Sequence, residues 1–95
     1  MSVYFMANIM IRDTKQYQLY LDRADEIFSN YKGTYLAVDS SPEVLEGDGV
    51  HGRAVLIHFE NREDFDAWYG SDEYQEILQF RLSAAECNTI LINGT

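Results

Sequence analysis

Two polar side chains interrupt apolar stretches of this sequence and are the first candidates for chemistry. Asn8 stands alone in the apolar run 3–11, and His58 lies within a second apolar run, 54–59. An imidazole can serve as a general base or a hydrogen-bond donor near neutral pH, and a carboxamide can orient a carbonyl or phenol. If the two runs are neighbouring strands, we expect Asn8 and His58 to lie close together. They are expected to form a catalytic pair, a structural pair whose members satisfy each other in the core, or a hydrogen bond at a dimer interface.

A second group of candidates lies nearer the C-terminus. Arg81 falls on the apolar side of a helical pattern, where it could clamp a substrate carboxylate. The alternative, which is the commoner arrangement for such an arginine, is an ion pair with a nearby Asp or Glu. Tyr69 and Tyr74 could border an entrance to the interior of a dimer, whereas Trp68 is expected to pack in the core.

The residue types and their spacing give little support for a disulfide, a metal site or a phosphate-binding loop. Cys87 is the only cysteine, so neither an intrachain disulfide nor a cysteine-based metal site is expected. His51 has no second ligand at metal-binding spacing, and the carboxylates of Glu43, Glu46 and Asp48 lack a calcium-loop pattern. No glycine-rich phosphate loop or nucleophile elbow is present, so we expect no metal and no cofactor.

The charge balance restricts the partners. The chain has 95 residues, with 16 acidic against 7 scattered basic residues and a net charge of −9. Binding to nucleic acid or to an anionic membrane depends on clustered cations, so neither partner is expected. The sequence shows no secretion signal and no apolar stretch near the ~20 residues that span a bilayer, which predicts a cytoplasmic protein.

The elements that must position these side chains follow from hydrophobic periodicity. Runs 3–11, 34–38, 53–59 and 88–92 are typical of strands. Asp13, Asn61 and Ser71 are predicted to begin three helical segments, and Gly33 to end the first of them as a left-handed cap. Val44 and Leu45 could briefly resume strand pairing. The order β-α-β-β-α-β predicts one α+β domain over residues 1–95, with a ferredoxin-like fold: a four-stranded antiparallel sheet with its helices on one face.

The strands carry apolar side chains on both faces, yet the helices can cover only one. The uncovered apolar face would exceed what a monomer in solution usually exposes, so we expect a homodimer packed sheet to sheet; a monomer with a hydrophobic groove is the alternative. The even positions of the first and third strands would then line the dimer interior: Tyr4, Met6, Asn8, Met10, Leu56 and His58.

The chain resembles the family described as domain of unknown function 1330 along nearly its whole length. The residues and segments that carry the resemblance are Ala7-Asn8-Ile9, Asp13, Tyr17 and Tyr20 on the first helix, Tyr31 to Leu36, Pro42 to Gly47, Leu56 to Phe59, Trp68 to Tyr74, Arg81, and Leu91 to Gly94. The resemblance implies a dimeric α/β barrel, in which two sheets surround a shared interior, and it implies no particular activity. This chain departs from the family at His58, where members often carry Glu.

Two functional hypotheses from different classes remain. In the first, the dimer interior binds a small hydrophobic or oxygenated organic molecule, as a cofactor-independent enzyme or as a binding protein. In the second, the barrel is only a non-enzymatic dimeric binding or assembly module, and Asn8 and His58 satisfy each other.

Overall fold

A computed structural model describes residues 1–47 and 52–95 as one sheet with helices packed on one side. The antiparallel sheet has the strand order β2-β3-β1-β4. In chain order, the elements are β1 (Val3–Ile11), α1 (Thr14–Phe28), β2 (Thr34–Asp39), β3 (Arg53–Phe59), α2 (Arg62–Tyr69), α3 (Asp72–Ala84) and β4 (Ala85–Asn93). This arrangement confirms the predicted ferredoxin-like fold.

Each helix begins at the residue that the sequence predicts. The side chain of Asp13 accepts a hydrogen bond from the backbone N–H of Gln16 at 3.1 Å. Asn61 and Ser71 accept from the N–H three residues later, at 2.8 and 3.1 Å. These bonds satisfy N–H groups that have no partner within the helix, so each cap defines where its helix starts.

Three local predictions are wrong. The first helix ends at Phe28 with Ser29 as its cap, and Gly33 does not have the left-handed backbone predicted for it. Position 33 instead requires glycine because a larger residue does not fit: a Cβ there would lie 2.6 Å from Cζ of Phe28. Val44 and Leu45 do not pair with the sheet, and β4 begins at residue 85 rather than 88.

The core lies between the helices and the odd-numbered side of β1. Phe5 and Phe59 contribute to an aromatic cluster around Trp68, which is 2% exposed. The Trp68 ring lies 5.5 Å from Phe5 and 5.6 Å from Phe59, measured between ring centroids. The prediction that Trp68 packs in the core is therefore confirmed.

The opposite side of the sheet, which we call the open face, carries no helix among the described residues. It consists of the even positions of β1, β3 and β4, paired as Tyr4 with Ile92, Met6 with Ile90, Asn8 with Asn88, and Met6 with Leu56. Met6 and Ile90 are 42% and 55% exposed in the single chain. The predicted imbalance between two apolar faces and one helical layer is thus present in the fold.

Candidate functional site

A cavity lies between α1 and the sheet, on the helical side of β1 and β3. Its volume is about 530 Å³, which is within the usual range for small-molecule pockets. The floor is apolar, formed by odd-numbered side chains of the strands, and polar groups reach in from the helices and from β3. The lining residues that carry polar groups are Tyr17, Tyr20, Asp25, Tyr35, Arg53, Trp68, Tyr74 and Arg81.

Arg81 is the most unusual side chain in this cavity. It belongs to the buried face of α3, together with Tyr74, Ile77 and Leu78, and it is only 2% exposed. Its Nε and Nη1 groups have no hydrogen-bond partner among the described residues. The guanidinium carbon lies 5.7 Å from the centroid of the Tyr20 ring, a distance suited to a cation–π contact.

No carboxylate neutralises Arg81 in the described parts of the chain. The ion pairs found there join Arg12 to Glu86, Arg23 to Glu76, and Arg62 to Asp66. The expected ion pair between Arg81 and a nearby Asp or Glu is therefore absent among the described residues. An arginine does not lose its proton in a protein, so α3 holds a buried positive charge beside an apolar cavity.

Arg53 adds a second guanidinium to the same cavity. It occupies the first position of β3 and shares its parity with Val55 and Ile57, so its side chain lies on the helical side of the sheet. Its Nε is buried without a hydrogen-bond partner among the described residues. Burial raises the pKa of the neighbouring Tyr17, although the charges of Arg53 and Arg81 oppose that rise.

Two tyrosines meet above the sheet. The hydroxyl of Tyr20 on α1 lies 2.8 Å from the hydroxyl of Tyr74 on α3. Burial raises the pKa of Tyr20, and the contact with Tyr74 raises it further. Burial also raises the pKa of Tyr74, against the opposing charge of Arg81. Both phenols are therefore neutral hydrogen-bond donors at physiological pH.

Tyr35 and Asp25 mark the opening of the cavity, because both line it and both are exposed. The hydroxyl of Tyr35 donates to Oδ1 of Asp25 at 3.5 Å. Burial, and secondarily the carboxylate of Asp25, raises the pKa of Tyr35 to about 12. The opening is thus bridged by one long hydrogen bond between β2 and α1.

Of the predicted site residues, Tyr74 and Arg81 line this cavity. Tyr69 lies behind Tyr74, with 5.6 Å between the ring centroids. The other predicted residues share the open face, on the far side of the sheet from the cavity: Tyr4, Met6, Asn8, Met10, Leu56 and His58. Their proposed roles depend on a second copy covering that face and stay predictions.

Asn8 and His58 do not form the expected pair. The register places His58 opposite Tyr4, and Asn8 opposite Ala54. Since His58 and Ala54 are four residues apart, the two polar side chains are separated by roughly 13 Å along the strands, at ~3.3 Å per residue. Nε2 of His58 lies 3.0 Å from Oγ of Ser2.

Asn8 accepts a hydrogen bond at the other end of the β1–β3 pair. Its Oδ1 accepts a hydrogen bond from the backbone N–H of Gly52 at 3.3 Å. It also borders a second cavity of about 370 Å³ on the open face, formed where residues 42–46 lie over Ala54. Asn8 and His58 therefore lie at separate places on this face.

The sequence analysis missed Tyr17, Tyr20, Asp25, Tyr35 and Arg53 as site residues. Tyr17 and Tyr20 pack against the core from the apolar face of α1. The sequence feature that could have indicated the cavity is Arg53. Its odd position on β3 puts a charge on the same face as the apolar residues Val55, Ile57 and Phe59. An arginine at an odd position of β3 indicates that a charged group lies between the sheet and the helices.

Residues 1–47 and 52–95 contain neither a metal-binding cluster nor a membrane-spanning helix. No group of three or more His, Cys, Asp or Glu side chains there could hold a metal ion. No helix in those ranges has the length and apolar character needed to cross a membrane. His51 and Asp48, which the sequence analysis considered as metal ligands, lie outside the described residues.

The fold and cavity define a ferredoxin-like α+β protein with a partly open cavity between sheet and helices. A family model described as domain of unknown function (DUF1330) matches residues 2–95, and the chain belongs to that family. The predicted family resemblance is confirmed. No curated protein matches the chain in sequence.

Three solved structures illustrate what the fold is similar to. RPA0582 from Rhodopseudomonas palustris, of unknown function, has a TM-score of 0.81 at 14% identity over 99% of this chain and 82% of that one. A dimeric ferredoxin-like protein of unknown function from Thermobifida fusca has a TM-score of 0.70 at 13% identity, over 99% and 92%. SnoaB from Streptomyces nogalater, a cofactor-independent oxygenase, has a TM-score of 0.69 at 9% identity, over 99% and 93%. At these identities the similarity establishes the shared fold alone.

Proposed function

We propose that this protein binds a small oxygenated organic molecule in the cavity between α1 and the sheet. The observation that carries this proposal is the buried guanidinium of Arg81 beside a cavity of about 530 Å³: its Nε and Nη1 have no hydrogen-bond partner in residues 1–47 and 52–95. Burying unpaired donors and a charge is costly, and a bound molecule with matching acceptors offsets that cost. An apolar pocket with a few convergent polar groups is the usual form of a small-molecule site.

Cofactor-free chemistry on the bound molecule is the first activity to assay. Its support is that SnoaB, a cofactor-independent oxygenase, shares the fold over 99% of this chain. The assay is oxygen consumption with hydroxylated aromatic compounds as substrates and no added metal or organic cofactor. Binding without turnover leaves the protein as a small-molecule carrier or sensor.

The same protein is proposed to act as a homodimer that pairs through the open face. Exposed apolar side chains of β1 and β4, together with Leu36 at 51% exposure on β2, support this pairing. The similar structure from Thermobifida fusca is described as dimeric. A second copy packed sheet to sheet would bury this patch and bring the open-face candidates Asn8 and His58 into an interface.

A variant that fills the cavity tests the binding proposal. Ala24 lines the cavity from α1 and is 6% exposed, so Ala24→Leu places three extra carbon atoms in the space. Ala67→Leu, at an exposed position of α2, is the matched control. Saturation-transfer NMR is performed with 4-hydroxybenzoate, 4-hydroxybenzamide and 2-naphthol. We expect at least one probe to bind the wild type and the control, and none to bind Ala24→Leu.

Two results would count against the proposal. Equal binding to Ala24→Leu and to the wild type would place the ligand elsewhere, and would favour the open-face site with Asn8 and His58. No binding of any probe, with a thermal midpoint unchanged by all of them, would favour the assembly-module hypothesis, because ligands of the native state raise that midpoint.

Sedimentation tests the pairing. Ile90→Glu puts a charge into the open face, whereas Leu19→Glu puts the same charge on the outer side of α1, where Leu19 is 44% exposed. We expect the wild type and Leu19→Glu to sediment as dimers and Ile90→Glu to dissociate. A wild type that remains a monomer at micromolar concentration refutes the pairing.

A further inference from the structure

Opposite charges are separated between the surface and the cavity of this protein. The whole chain carries a net charge of −9, yet the cavity lining contains two guanidinium groups, Arg53 and Arg81, against the single carboxylate of Asp25. Asp25 is exposed and accepts the hydrogen bond from Tyr35 at the opening. The interior of the cavity is therefore positively charged.

The hydroxyl pair adds a directed donor next to this charge. Tyr20 and Tyr74 have two hydroxyl protons between them, and the 2.8 Å hydrogen bond that joins them uses only one. The other proton is available to an acceptor in the cavity. Since the Arg81 guanidinium carbon lies 5.7 Å from the centroid of the Tyr20 ring, the cation and the free proton fall within the span of one small molecule.

The geometry points to a ligand that is an anionic hydroxylated aromatic compound, such as an aromatic carboxylate or a phenolate. The anionic oxygens bind the guanidinium of Arg81, which presents N–H groups in a planar fork suited to two oxygens. A second oxygen of the ligand accepts the free proton of the Tyr20–Tyr74 pair. The ring lies against the apolar floor near Trp68. This inference rests on the proposed binding function and specifies the chemistry of its ligand.

A matched pair of probes isolates the charge. 4-Hydroxybenzoate and 4-hydroxybenzamide have nearly the same shape and differ in charge, and 3-hydroxy-2-naphthoate with its amide provides a two-ring pair. Affinities are measured by isothermal titration calorimetry at fixed ionic strength. We expect the acid of at least one pair to bind at least about tenfold tighter than its amide, since hydrogen bonds to charged groups are the stronger ones.

Variants then assign the preference to Arg81. We expect Arg81→Met to abolish the preference for the acid, Arg81→Lys to keep part of it, and Tyr20→Phe to weaken the acid and the amide by a similar factor. Arg62→Met is the matched control, because Arg62 is exposed and also lies over an aromatic ring, that of Phe65 at 5.7 Å. The control should keep the wild-type preference.

The outcomes separate this inference from the proposed function. Equal affinity for acid and amide in the wild type overturns the inference and leaves the binding function standing. A preference that survives Arg81→Met overturns the role of Arg81; if that variant does not fold, a preference that Arg81→Lys keeps at the full wild-type value does the same. Failure of every probe in both pairs to bind overturns the proposed function and the inference together.

Discussion

Replacing Arg81 with methionine should make the ligand-free protein more stable, although the change removes a side chain from the core. The guanidinium is 2% exposed and two of its nitrogens have no hydrogen-bond partner in the described part of the chain, so desolvating it costs the folded state free energy. Replacing a buried ion pair by apolar residues of similar volume is often neutral or stabilises a protein by about 1–4 kcal/mol, and a buried charge without an ion-pair partner lacks even the attraction that offsets desolvation in such a pair. Loss of the cation–π contact with Tyr20 reduces this gain in stability by about 0.5–2 kcal/mol.

The expected balance is a gain of about 1–2 kcal/mol in the free energy of unfolding. For a domain of this size, that corresponds to a rise of roughly 5–10 °C in the thermal midpoint. Urea titration followed by the fluorescence of the only tryptophan, Trp68, gives the value, with the protomer concentration held constant. Arg62→Met removes an exposed arginine and should change stability by less than about 0.5 kcal/mol.

A clear loss of stability in Arg81→Met would refute the reasoning. It would mean that the guanidinium makes favourable contacts in the native state, and that Arg81 is a structural residue rather than a ligand anchor. The comparison with the control variant is essential, because a loss in both proteins would reflect the removal of any arginine stem that covers an aromatic ring.

Three further outcomes follow from the structure. Gly33→Ala should cost about 1–3 kcal/mol in urea titrations, because the new Cβ overlaps the rings of Phe28 and Phe59; an unchanged midpoint would contradict the packing described. Ser71→Ala should cost about 1 kcal/mol by the same measurement, since its Oγ caps α3 through the N–H of Tyr74, and a neutral substitution would mean that the cap contributes nothing. In alkaline titration followed by tyrosinate absorbance, the buried phenols should resist ionisation, because burial raises their pKa values in the folded state. That stabilising contribution is complete below about pH 10, the value for an unfolded tyrosine, and is lost as the pH rises above it; titration of all seven tyrosines near pH 10 in the folded protein would exclude it.

The elements of this fold were predictable from sequence because they depend on local geometry. Asp13, Asn61 and Ser71 begin helices through bonds to N–H groups three residues away, so the cap and its partner lie within one turn. The alternation of Phe5 and Met6 between the two sides of β1 follows from the period of a strand. Gly33 was misinterpreted since its role depends on Phe59, a residue far away in sequence.

The site was less predictable because it depends on contacts between distant elements. The separation of Asn8 from His58 follows from the register of β1 against β3, and sequence patterns specify which face a residue occupies but not its exact partner. Tyr20 meets Tyr74 across 54 residues, and their pairing appears only when α1 packs against α3.

The amino-acid sequence alone determined the order of the elements, the two apolar faces of the sheet and the family, because period, capping and composition act over a few residues. Tertiary structure alone decided that the larger cavity lies under α1, and that Arg81 meets tyrosines there instead of a carboxylate. The physical reason is that the cost of a buried charge depends on everything packed around it, and α1, α3 and β3 become neighbours only in the folded chain.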